Sequence, residues 1–162
     1  MKIIIDADAT PRSVLEICKS MAVKHGLTLI TVASFNHNIK SDHHITVGCD
    51  PQEADIRIAN LTVVGDVVVT QDWGLAALLL GRGARVISPA GRPYKPENIE
   101  FMLEERNIKA KIRKAGGRTR GPVKRTSGDD RRFSACLRQV LGYGRAAAEE
   151  DKKREEDDST QE

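Results

Sequence analysis

Aromatic residues are scarce in this chain: one Trp, two Tyr and three Phe among 162 residues. The length suits one domain with a real core, which must then be built from aliphatic side chains. Cysteine is nearly absent too, and Cys18, Cys49 and Cys136 lie far apart. That excludes a disulfide framework and any paired-cysteine metal site, and dispersed thiols fit a reducing compartment. Long apolar runs are missing. The longest, Leu75 to Leu80, falls far short of the ~20 residues needed to cross a bilayer. After Lys2 only three apolar residues precede Asp6, against about 7–15 in a secretory signal. The expectation is a cytoplasmic protein with no membrane partner.

What is present is charge, unevenly placed. The net charge is +3, but residues 143–162 hold four Lys/Arg and eight Asp/Glu, a balance of −4. Residues 1–142 therefore carry +7. The expected organisation is one domain over 1–142 followed by a disordered charged tail over 143–162.

Apolar patterning gives the order of elements. Lys2 to Ile5 reads as a buried strand, and Thr10-Pro11 as a cap and first-turn proline for a helix running to about Lys24. Gly26 should end it. "LTLITVA" (27–33) and "HITV" (44–47) read as strands. "DPQE" marks a helix start, with Asp50 as cap, and that helix should run to about Leu61. "DVVVT" (66–70) is β-branched throughout, as in a strand buried on both faces. A helix through "WGLAALLL", a strand at 84–88 and a helix at 96–106 follow. Strands alternating with helices indicate a parallel sheet covered on both sides. Residues 107–132 are rich in Lys, Arg and Gly and read as a mobile basic arm, before a closing helix at 133–141.

The chain opens "MKIIIDADATP". Asp6 and Asp8 alternate with Ala7, so on an extended chain they point the same way, roughly 7 Å apart. Sites in open α/β sheets form at the carboxyl ends of the strands, and Asp72 lies just past the "VVVT" strand. Asp55 flanks the Ala54, Ile58, Leu61 stripe of its helix, one turn from the start, and can overhang the same rim. Two unit charges 4 Å apart cost about 4 kcal/mol at an effective dielectric of 20. Four gathered carboxylates therefore call for a cation or for protonation. Oxygen ligands alone favour Mg²⁺ or Mn²⁺, which can activate water and take up charge on a phosphodiester.

Each acid also has a structural reading. Asp72 could cap the helix at Trp73, Asp55 could be a solvated helix residue, and Asp8 could serve a turn before Thr10. Asp66 precedes its strand and should lie at the opposite rim, in a structural role. His37, His43 and His44 cluster with Asp42, but their spacing matches no metal-ligand pattern and reads as a solvated loop. "IIIDADAT" also matches the opening motif of haloacid-dehalogenase-type phosphatases, where the first Asp would attack phosphorus and the second act as acid and base. The later acidic motif and the lysine that family needs are not evident here.

Five segments in order resemble the YaiI/YqxD family of small bacterial proteins: "DADATP", "EADIRIAN", "GDVVVTQDWGLAALLLGRGARVISPAGRPYKPENI", "GGRTRGP" and, approximately, "DDRRF". Thr10 and the Arg of "TRGP" stand where that family more usually has Cys and Gly. The resemblance covers roughly residues 1–141 and implies an α/β, three-layer PIN-like domain with a mainly parallel central sheet flanked by helices. PIN-like domains are typically metal-dependent nucleases. Position by position, the resemblance selects Asp6, Asp8, Asp55 and Asp72, the residues the strand argument had reached.

Between Arg106 and Arg132 eleven Lys/Arg stand against two Asp. Such a segment can track a phosphate backbone, with Arg113, Lys114, Arg118, Arg120, Lys124 and Arg125 as candidate contacts; its structural reading is a solvated loop. The arm has no aromatic stacking platform. The leading expectation is a nuclease acting on RNA through an Asp-bound Mg²⁺ or Mn²⁺. A non-catalytic RNA-binding or regulatory protein of the same fold is the alternative, and the phosphatase a third.

Overall fold

A computed structural model of the chain describes residues 1–35, 39–41, 43–118 and 123–143. Of the residues singled out above, His37, Asp42, Arg120 and the tail from 144 onward lie outside that set. Five strands, β1 (Lys2–Asp6), β2 (Thr28–Ser34), β3 (His44–Val47), β4 (Val67–Val69) and β5 (Arg85–Ile87), form one parallel sheet in the order β3-β2-β1-β4-β5. Five helices accompany them: α1 (Arg12–His25), α2 (Pro51–Leu61), α3 (Trp73–Gly81), α4 (Pro96–Lys114) and α5 (Ser127–Leu141).

Strand periodicity splits the core in two. Ile3, Ile5, Val67, Val69 and Ile87 point to one face, where Val14, Cys18, Phe133 and Leu137 of α1 and α5 cover them. Ile4, Val68 and Val86 point to the other, under Ala54, Ile58, Leu75 and Leu79 of α2 and α3. Six of the eight strand residues just named are fully buried isoleucines or valines with no solvent exposure at all on β1 and β4, which explains why these two strands read as unbroken apolar runs. The result is three layers, helix-sheet-helix, with α4 packed outside α3. This agrees with the PIN-like architecture implied by the resemblance.

Three local expectations are corrected. Thr10 does not cap α1: its hydroxyl donates to the Asp6 carbonyl at 2.6 Å, and Pro11 holds the cap position without a side-chain bond. The helix at 96–106 continues to Lys114. Its second half buries little, but Glu, Lys, Arg and Ala are strong helix formers. Glu105 and Lys109 pair one turn apart at 2.6 Å, and Lys111, Arg113 and Lys114 complement the carbonyl end. The closing helix starts at Ser127, not 133, because Thr126 and Asp129 form a capping box. The basic arm thus shrinks to the connection between Lys114 and Ser127. Among the described residues no helix is long and apolar enough to cross a membrane.

Candidate active site

The sheet order reverses direction between β1 and β4, the switch point at which open α/β sheets leave a crevice beyond the strand ends. Both strands run out there into polar residues, Asp6 and Thr70. A cavity of about 450 Å³ opens over them, lined by Asp6, Asp8, Asp55 and Asp72. All four acids expected to converge therefore share one rim. Arg106, from the middle of α4, lies on its wall, as do Gln71 and Trp73.

Asp6 is the most enclosed of the four, 8% exposed. Its Oδ2 accepts from the Thr70 hydroxyl at 2.9 Å. Burial raises its carboxyl from 3.8 to about 6; the Thr70 hydrogen bond opposes this, and the charges of Asp55, Asp8 and Asp72 add to it. Asp55, half-buried on α2, is also raised, by burial and then by Asp72. Asp72 keeps both roles weighed from sequence. It caps α3, accepting from the Leu75 N–H at 2.8 Å, and it lines the cavity. Among the described residues the Asp8 carboxylate is bonded across to β2 rather than into the turn before Thr10. The chain leaves the strand after Asp6, and the Asp8 carboxylate reaches across to the Ser34 N–H at 2.9 Å and its hydroxyl at 3.1 Å.

The chemistry of this set suits a hard divalent cation, because every charged donor is a carboxylate oxygen. Among the described residues, however, no three His, Cys, Asp or Glu side chains stand together as a ready ligand set. Asp8 and Asp72 are turned onto protein donors instead. Mg²⁺ commonly takes one or two carboxylates and keeps several waters, so two acids of this rim would suffice. The residues fit such an ion by donor type and by accumulated charge. Among the described residues no lysine is on the cavity wall, which leaves the phosphatase motif without its partner there.

Other candidates separate. Asp66 lies at the opposite rim, where its carboxylate accepts from the Lys2 N–H, the Lys2 ammonium and the Val63 N–H. His44 starts β3 and its Nδ1 meets the Thr31 hydroxyl at 2.8 Å; His43 is exposed. Arg113, Lys114, Arg118 and Lys124 are exposed. Arg125 differs from them: its Nε donates to Asp130 at 2.6 Å and its Nη1 to the Pro89 carbonyl at 2.7 Å. It anchors the arm to the body.

Sequence reasoning missed Thr70, Arg106 and Trp73. Thr70 had a signal, a hydroxyl placed where an apolar strand ends. Its Oγ1 donates to Asp6 and accepts from the Asp72 N–H at 3.0 Å, tying two acids to one residue. Arg106 entered only as the first residue of the basic segment, and its place on the cavity wall had no signal because it depends on where α4 runs.

Residues 4–143 match a family profile described as "Uncharacterized BCR, YaiI/YqxD family". A UPF0178 protein of Heliobacterium modesticaldum is 52% identical over 141 residues, 87% of this chain and 97% of its own. Those of Alkaliphilus metalliredigens (43% over 144 residues, 87% and 92%) and Clostridium kluyveri (39% over 153 residues, 93% and 99%) are similar. No solved structure gives a significant match.

Proposed function

The chain belongs to the YaiI/YqxD family, and we propose that it is a metal-dependent nuclease acting on RNA. The observation that carries this reading is the gathering of four carboxylates from β1, the β1–α1 turn, α2 and the β4–α3 turn around one cavity at the sheet's switch point. Asp6 and Asp72 would hold Mg²⁺ or Mn²⁺, with Asp8 and Asp55 completing the shell directly or through water. The ion would supply an activated water and a sink for charge on the phosphodiester.

The chain's own residues account for the rest. Thr70 holds the Asp6 carboxylate in orientation, since its hydroxyl is itself fixed by the Asp72 N–H. The negative rim repels a phosphate backbone unless cations flank it. Arg106 supplies one on the cavity wall, and Lys111, Arg113, Lys114 and Arg118 continue the positive charge along α4 and beyond. Substituting Asp6→Asn tests the reading. RNA cleavage in Mn²⁺ should fall on the order of 100-fold or more, beyond the 10–100-fold typical of outer-shell changes, while RNA binding in EDTA is retained. Unchanged cleavage overturns it.

A second reading, a non-catalytic RNA-binding protein of the same fold, draws on the way Asp8 and Asp72 already satisfy protein donors. It expects binding without cleavage in the unsubstituted chain.

A further inference from the structure

Next to the acidic cavity lies a second of about 480 Å³, within the ~300–1,000 Å³ range of ligand pockets. Gln71 and Trp73 line both, so the two are neighbours across one residue pair. Their chemistry differs. The second is walled by Trp73, Tyr94, Pro93, Met102 and Val123, and among the described residues no carboxylate lines it. Its charged groups are Arg92 and Arg125. Arg125 spends Nε and Nη1 on Asp130 and Pro89, and its Nη2 is buried with no hydrogen-bond partner among the described residues. A buried donor of that kind is uncommon and marks a place where an acceptor belongs.

The wall is rigid where it meets the rim. Trp73 and Tyr94 stand edge to face, with centroids 4.8 Å apart and planes at 86°. The Tyr94 hydroxyl donates to the Thr70 carbonyl at 3.1 Å, and the Thr70 hydroxyl donates to Asp6. One residue therefore fixes both the aromatic wall and the acid at the end of β1. Trp73 is half-buried, packed against the core under α2 and α3 while lining both cavities.

A ligand that fills both cavities must be planar and partly apolar on one side of Trp73, anionic at its linkage, and able to accept from guanidinium groups. A nucleotide within a single strand meets all of these requirements. A lipid chain or an apolar peptide would leave Arg92, Arg125 and the acidic rim unused. We propose that this cavity is a nucleobase subsite, in which the base adjoining the phosphate over the carboxylate rim stacks on Trp73. The proposal rests on the nucleic-acid reading above and deepens it: the substrate class becomes single-stranded RNA, since a paired base could not enter.

Trp73 is the only tryptophan, so tryptophan fluorescence reports on the boundary of the two cavities, and the abasic strand separates a base stacked there from a backbone lying over the rim. The full chain in EDTA is titrated with a short single-stranded RNA and with an abasic backbone of the same length. The RNA should quench Trp73 and bind about tenfold more tightly than the abasic strand, as expected for one stacked base. By anisotropy of labelled strands, Trp73→Phe should keep that preference and Trp73→Ala should lose it. Equal affinity for both strands, without quenching, overturns the subsite. If Asp6→Asn leaves cleavage intact while base-dependent quenching persists, the subsite stands and the nuclease reading falls. If cleavage needs Asp6 and no quenching occurs, the subsite alone falls.

Discussion

Asp6 and Asp66 belong to neighbouring parallel strands, one ending β1 and one just ahead of β4, so they occupy opposite ends of the same sheet. Both are nearly removed from solvent, at 8% and 1% exposure. Their surroundings are otherwise reversed. Burial alone would raise the Asp66 carboxyl, but the Lys2 ammonium, the Val63 and Lys2 N–H groups and the Lys2 charge together hold it below its ordinary value. Asp6 receives one hydroxyl and faces three other acids, and its carboxyl is pushed up to about 6. An enclosed acid with its donors supplied serves the fold. An enclosed acid held among like charges is sustained by the rest of the molecule, and that is where a ligand or ion gains most.

The sharpest way to break this comparison is to make the same change at both ends. Asp66→Asn should leave RNA cleavage close to that of the unsubstituted chain at a temperature where both are folded, whereas Asp6→Asn should lower it by about 100-fold or more. Stability should move in opposite directions. In EDTA at pH 7, chemical denaturation should show Asp66→Asn losing about 2–3 kcal/mol, the scale of hydrogen bonds to a buried charge. Asp6→Asn should gain about 1–3 kcal/mol, because a native carboxyl raised from 3.8 to about 6 is destabilising once ionised. Two losses of equal size would show that the rims do not differ.

The pH dependence follows with opposite signs. The folded chain holds the Asp6 proton more tightly than the unfolded chain, so stability should rise as pH falls from about 6 toward 3.8. Asp66 binds its proton less tightly when folded, so its contribution is present above the ordinary carboxylate range and is lost as pH falls through its lowered native value. Denaturation midpoints against pH should therefore show an Asp6-dependent rise that Asp6→Asn abolishes. Mn²⁺ should suppress it too, since a bound cation favours the ionised acid. The smallest effect belongs to α4. Replacing exposed Lys111 and Lys114 by Ala should flatten the log-affinity against log-salt plot for single-stranded RNA by about 0.7 per charge, with no change in the Asp6-dependent terms.

The acidic rim was legible because strand periodicity and chain direction are both written locally. "KIIID" and "VVVT" declare two-face burial, and whatever follows a parallel strand falls at its carboxyl end. The α4 extension was not legible by the same logic. "NIKAKIRK" has little to bury, and reading for buried stripes discards a helix that is held by side-chain propensity and charge placement. Thr126 and Asp129 did carry a capping signature, but Gly128 between them and the flanking basic residues made it look like loop. Trp73 and Tyr94 could not be joined from sequence at all. Twenty-one positions and a whole strand separate them, and only the β4–β5 pairing brings them to one wall.

The placement of α5 has a consequence for how the chain comes to be folded in the cell. Phe133 and Leu137 are fully buried over Val69 and Ile87, and the turn at Gly91 (φ 78°) sits so close to α5 that an added Cβ would lie 2.7 Å from the Phe133 nitrogen. During synthesis, every strand has left the ribosome before this cover exists. Until residues 127–141 follow, α1 is the only helix on that side of the sheet among the described residues, so a nascent or prematurely terminated chain leaves part of it greasy and open, a surface that chaperones grip and aggregates grow from.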